Sequence, residues 1–172
     1  MRLKSLLLVG SLLLSTLTFA QTTASRASNG KKVLKGKIDM QTLMNDSAFA
    51  WFYTGVNGYQ PNDNMVNYIK ANREKLNIVA VAGTWDQSSQ ALLPKLYKIM
   101  IVGGSPDEQV VTYGVDEKMN SGSPQDYKVK QLPTFILFRE GKEIGRISGD
   151  VTESLESDMA KILLKANRKD KD

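Results

Sequence analysis

The stretch Asn77 to Pro94, Asn-Ile-Val-Ala-Val-Ala-Gly-Thr-Trp-Asp-Gln-Ser-Ser-Gln-Ala-Leu-Leu-Pro, restricts the folds open to this chain more than any other. Ile78 to Ala82 is short, continuously apolar and rich in β-branched residues, the pattern of a strand buried on both faces. Gly83-Thr84 ends it. From Gln87 to about Ile101, the residues Leu92, Leu93, Leu96, Ile99 and Met100 recur at helical spacing. Pro94 lies inside that helix, removes one backbone hydrogen bond and predicts a kink. A buried strand that turns through small residues into a helix opens an α/β unit. In such folds ligands bind outside the carboxyl ends of the strands. Trp85 to Ser89 is therefore where a site is expected.

The flanking segments supply the other layers. From Asp39, Met40, Leu43, Met44, Ala48, Phe49 and Phe52 form one helical stripe. The aromatic group Phe49, Trp51, Phe52, Tyr53 and Tyr59 reads as core and edge packing before it reads as a ligand surface. Pro61 to Asn64 is a loop that starts a second helix, with Met65, Val66 and Ile69 inward. Glu108 to Val115 reads as a strand through Val110, Val111, Tyr113 and Val115. Asp116 to Asp126 is a polar loop, and Tyr127 to Gln131 a short helical turn. Leu132 to Phe138 is a strand with proline at its mouth. Glu140-Gly141 is a hairpin turn, and Glu143 to Ser148 returns antiparallel. Thr152 to Leu164 carries Leu155, Met159, Ile162 and Leu163 as a last helix. A right-handed crossover makes the strands at 78–82 and 109–115 parallel. The expectation is one α/β domain, with a mixed central sheet, helices on both faces and extra N-terminal helices.

The ends read differently. Arg2 and Lys4 precede an apolar run from Ser5 to Phe19 that closes on small residues at Ala20, as a secretory signal does. Residues 1–20 are read as that signal, 21–37 as a flexible leader, 38–164 as the domain and 165–172 as a charged tail. A periplasmic or secreted location follows. No Cys follows Ala20, so no lipid or membrane anchor is expected.

The whole chain of 172 residues has no Cys and no His. Thiol chemistry is therefore closed to it, and so are the usual base near neutral pH and the commonest metal ligand. Lys and Arg exceed Asp and Glu by five. Much of that excess sits in Arg26–Lys37 and Lys165–Lys171, read as solvated ends. Basic residues without interleaved aromatics do not point to nucleic acid. No cofactor and no metal is expected.

This order of elements resembles thioredoxin. Trp85 stands where that family has Trp-Cys-x-x-Cys. Pro94 follows the second cysteine position by five residues, as the family's kinking proline does. Leu132-Pro133-Thr134 looks like its cis-proline loop, and Phe135 to Gly149 like its terminal hairpin and closing glycine. Gly83-Thr84-Trp85-Asp86-Gln87-Ser88-Ser89-Gln90 is similar, more narrowly, to an exported bacterial branch with Gly-Thr-Trp-Cys-x-Asp-Ser-Gln. The resemblance covers about residues 40–164.

It fails at the chemistry. The two former redox positions hold Asp86 and Ser89, and neither carboxylate nor hydroxyl exchanges with a disulfide. No catalytic residue is assigned. Asp86 either caps the helix at a retired site, with Ser88 and Ser89 satisfying free N–H groups, or still binds. Hydrolysis by Ser89 lacks a base. Trp85 either packs beside the helix start or lies partly exposed as a platform. If the groove binds, its residues are Trp85, Asp86, Gln87, Ser88, Ser89, Leu132, Pro133 and Thr134, with Thr134 presenting an edge to a protein or extended peptide. The alternative is an oxidoreductase relative whose activity is lost or replaced by another chemistry.

Overall fold

The computed structural model describes residues 22–169. The signal expected at 1–20 and the last three residues of the charged tail lie outside them. Among the described residues there are six strands in one mixed sheet, in the order β1-β2-β4-β3-β5-β6. They are β1 (Thr23–Arg26), β2 (Lys32–Ile38), β3 (Leu76–Ala82), β4 (Val110–Gly114), β5 (Thr134–Arg139) and β6 (Lys142–Ser148). The helices are α1 (Met40–Asn45), α2 (Ala50–Gly58), α3 (Asp63–Asn72), α4 (Gln87–Val102) and α5 (Leu155–Lys169). As the crossover argument expects, β3 and β4 are parallel, with Ala80 opposite Thr112. β5 runs antiparallel to β3, and β6 antiparallel to β5. Glu140 and Gly141, both at positive φ, make the tight turn between β5 and β6.

Alternation along the strands sorts the sheet into two faces. Ile78, Ala80, Ala82, Val110, Phe135, Leu137 and Ile147 share one core with Leu43, Phe52, Ile69, Leu93, Leu96, Met159 and Leu163. Each of the five helices thus contributes to that core. Phe52 meets Tyr97 edge-on at 5.2 Å. Pro94 is buried inside α4, and α2 comes so close that a Cβ on Gly55 would lie 2.6 Å from the proline ring. On the opposite face Val81, Tyr113 and Ile136 are buried. The chain from 116 to 133 covers them, and Tyr127 lies 6.0 Å from Tyr113.

The sequence expectations need five corrections. The helices do not flank both faces of the sheet: all five share one core, and the other face is covered by the chain from 116 to 133, which forms no helix. Residues 23–38 are not a flexible leader. β2 pairs with β4 (Gly36 opposite Gly114), β1 pairs with β2, and Ala27, Val33, Leu34 and Ile38 are buried. The stripe from Met40 to Phe52 is not one helix. Asp46 adopts an extended backbone and its carboxylate accepts from the Ala48 N–H at 2.9 Å, which ends α1 and starts a new turn. No helical turn forms at Tyr127–Gln131. Lys128 has φ of 51°, and its N–H is taken by the Asp126 side chain at 2.8 Å. Lastly, 165–169 is helix rather than tail. Ala166 is buried, and the Asn167 amide donates to Tyr68 Oη and Asn72 Oδ1, both at 3.0 Å.

Candidate functional site

The loop between β3 and α4 is built by short-range bonds. Asp86 is the N-cap of α4. Its Oδ2 accepts from the Ser89 N–H at 2.7 Å, and its backbone carbonyl accepts from Gln90. This satisfies donors that a helix start leaves free. Asp86 therefore fills the capping role expected of it, and its Oδ1 accepts no hydrogen bond among the described residues. Ser89 is fully buried, and its Oγ accepts from the Gly83 N–H at 3.1 Å. The hydroxyl at the second former cysteine position is a structural bond, closed to any ligand.

Trp85 answers both expectations at once. Its Nε1–H donates to the Val115 carbonyl at 3.0 Å, yet the residue is only half-buried. Its ring folds back over Gly83, where a Cβ would stand 3.1 Å from Cε2 and Nε1. Gln87 is exposed and Ser88 half-buried.

Opposite this loop, the Leu132–Pro133 bond is cis. Val81 pairs with Thr134, the first residue of β5, so the cis-proline loop lies at the same end of the sheet as the turn after β3. The expected residues thus converge at one end of the sheet. Thr134 does not present its side chain there. It is buried, donating to the Gln131 carbonyl and sharing a 2.7 Å bond with Ser148 Oγ. Gly149, at φ of 71°, donates to the Pro133 carbonyl at 2.8 Å and closes the loop from behind. The exposed part of the edge is Leu132, half-buried, whose backbone makes no hydrogen bond among the described residues.

The hairpin of β1 and β2 also reaches the site, which the sequence reading missed. Thr84 is buried. Its Oγ1 accepts from the Leu34 N–H at 3.0 Å and donates to the Lys32 carbonyl at 2.9 Å. Ser28 donates through both its N–H and its hydroxyl to the Glu117 carboxylate. The signal available was Val33-Leu34, an apolar pair in a polar stretch.

On the far side of Val115, Lys35 pairs with Asp116 at 2.9 Å. Burial acts to raise the Asp116 pKa, but the Asn120 N–H, Lys35 and the Lys118 N–H together hold it below the ordinary range. A second anchored carboxylate stands at the start of α5. Glu156 is buried, and burial again opposes its charge. Hydrogen bonds from the Asn62 N–H at 3.0 Å and Tyr59 Oη at 2.7 Å outweigh that and hold its pKa below the usual value. The Tyr59 phenol is pushed well up by its burial and by Glu156. This pair staples the α2–α3 loop to α5.

Among the described residues no group of three or more His, Cys, Asp or Glu side chains is placed to hold a metal ion. No described helix is long and apolar enough to cross a membrane. The chemistry available at the strand ends is hydrogen bonding by backbone and carboxylate beside an aromatic ring.

The Thioredoxin family model matches residues 59–161. The chain is also 32% identical over 87 residues to Thioredoxin H2-2 of Oryza sativa subsp. japonica, a match that covers 51% of this chain and 62% of that protein. It therefore spans about three fifths of that relative's length. With the α/β mixed sheet, the helix cap at the end of β3 and the cis-proline loop beside it, the chain belongs to the thioredoxin family, without a cysteine at either redox position.

Proposed function

We propose that this chain is an exported, non-redox binding module that holds an extended peptide or protein segment along Leu132-Pro133, beside Trp85 and Asp86. The observation that carries the reading is the Leu132 backbone. It lies at the mouth of β5 and makes no hydrogen bond among the described residues. An extended segment pairing there would extend β-type hydrogen bonding by one step, with no need of sulfur. Two neighbours support it. Trp85 offers the exposed part of an indole already anchored through its N–H, and Asp86 Oδ1 is free to accept from a peptide N–H. Gln87 and Ser88 would border the segment. Ser89 and Thr134 would hold the frame. Export rests on Arg2, Lys4 and the apolar run to Phe19. An exported chain would meet its partner in the periplasm or outside the cell.

The test is selection of displayed linear peptides on the immobilised chain, followed by titration of a selected peptide into 15N-labelled protein. The Leu132 amide and the Trp85 indole resonances should shift together, and Trp85→Ala should weaken binding. Peptides that bind Trp85→Ala as tightly as wild type, or that shift neither resonance, would place the binding elsewhere and refute the reading.

A further inference from the structure

We propose a second site, independent of the groove: the cavity between the β1–β2 hairpin, the start of α2 and the first turn of α4 binds a carboxylate joined to a flat apolar group. The cavity holds about 340 Å³, within the range of small-ligand pockets. Arg26, Lys31 and Lys32 line it, together with Trp51 and Gln90, and among the described residues no acidic side chain does.

The three cations are not equally engaged. Lys32 is paired with Asp46 at 2.6 Å and lies over the Phe49 ring. Among the described residues the Arg26 side chain bonds only to the Gly30 carbonyl at 3.0 Å, and the Lys31 side chain only to Gln90 Oε1 at 3.1 Å. Both acceptors are neutral, so among the described residues these two charges face no carboxylate. Trp51, half-buried, lines the cavity beside them. Its Nε1–H is buried and has no acceptor among the described residues.

One ligand answers the two charges and the aromatic wall. A carboxylate accepts from a guanidinium fork and an ammonium together. An apolar body attached to it lies against the Trp51 ring. Arg26, Gly30, Lys31, Lys32 and Trp51 all precede the segment 59–161 that matches the family, so this cavity is built largely by residues outside the matched region. It also touches α4 directly, because Gln90 holds Lys31 through Oε1 and the Thr84 carbonyl through Nε2, at 2.7 Å.

The test uses the full chain at low salt, with two carboxylates as probes: phenylacetate, and N-acetyl-leucyl-phenylalanine with a free C-terminus. The amide of that dipeptide and inorganic phosphate are the comparisons. Calorimetry should show saturable binding of at least one carboxylate, at least about tenfold tighter than the amide, and weakening as salt rises. Binding of both carboxylates would make the ligand a small acid; binding of the dipeptide alone would make it a chain terminus. Arg26→Met and Lys31→Met should each weaken binding by about fivefold or more, and Lys70→Gln, a charge change in α3, should not. If Arg26→Met fails to fold, Lys31→Met decides. The Trp51 indole N–H resonance should move on binding, while that of Trp85, already bonded to Val115, stays. Equal binding of acid and amide, wild-type affinity in both charge variants, tighter binding of phosphate, or a stationary Trp51 indole would each overturn the proposal.

Discussion

Thr84 is a residue whose hydroxyl should matter more than its size. It is buried at the end of β3, and its Oγ1 holds the Leu34 N–H at 3.0 Å and the Lys32 carbonyl at 2.9 Å. Thr84→Val keeps the shape and removes both bonds. Leu34 is itself buried, so its N–H would be left without a partner, at about 1–3 kcal/mol. The Lys32 carbonyl belongs to a half-buried residue and can turn to water, which adds about 0.5 kcal/mol. The methyl gained returns at most about 0.8 kcal/mol. The net loss is about 2 kcal/mol, or about 4–8 °C in the thermal midpoint of a domain this size. Thr84→Ser keeps both bonds and loses one methyl, at about 1 kcal/mol. The expected order of stability is Thr, then Ser, then Val, the reverse of what hydrophobic burial alone would give. Urea unfolding followed by tryptophan fluorescence measures the order. Hydrogen exchange at the Leu34 amide localises it: faster in Thr84→Val, near wild type in Thr84→Ser. A valine variant at least as stable as the serine one, with Leu34 still protected, would refute the reasoning and detach the hairpin from the site.

Ser89→Ala should cost about 1–3 kcal/mol in urea, because it leaves the buried Gly83 N–H without an acceptor. Glu156→Gln should flatten the acid limb of the stability curve. The folded pKa of Glu156 lies below its ordinary 4.5, so the unfolded chain binds the extra proton first. The stability it contributes is present above about 4.5 and is lost as pH falls through the lower folded value. Wild type should therefore lose stability below that pH more steeply than the glutamine variant in thermal melts. In an insulin-reduction assay the chain should show no turnover, since it has no thiol. Asp86→Cys with Ser89→Cys should give a pair that oxidises, read by thiol titration. Two persistently free thiols would mean that the loop no longer has redox geometry.

Much of the fold was readable because it lies in local periodicity. Ile78–Ala82, the stripe of α4, and the Glu140-Gly141 turn each follow from neighbours in sequence. The order of those elements then led to the family. The misreadings share a different cause. Val33 and Leu34 look isolated in a polar stretch, and both are buried where β2 docks on residues far along the chain, with the Leu34 N–H on Thr84 and Gly36 opposite Gly114. Asp46 interrupts a good apolar stripe through a side-chain bond that periodicity does not register. At the site, residue types were legible and orientations were not. Ser89 and Thr134 read as polar groups near strand ends, and both turn inward to bind backbone or neighbouring hydroxyls. Leu132 matters to the proposed groove through its backbone, which side-chain identity cannot announce.

The pairing of β2 with β4 has a consequence for the order of assembly. β3, α4 and β4 are consecutive and can form as one crossover unit from local contacts, whereas β2 must wait until β4 exists. Gly114 is where the hairpin comes to rest. A Cβ there would stand 2.0 Å from the Leu34 carbonyl oxygen, so only glycine leaves room for that strand to settle. An element that docks last, with all four residues of β1 exposed, is a candidate to open first without unfolding the rest. Limited proteolysis should accordingly nick the Ala27–Lys31 turn before it reaches the α-helical layer.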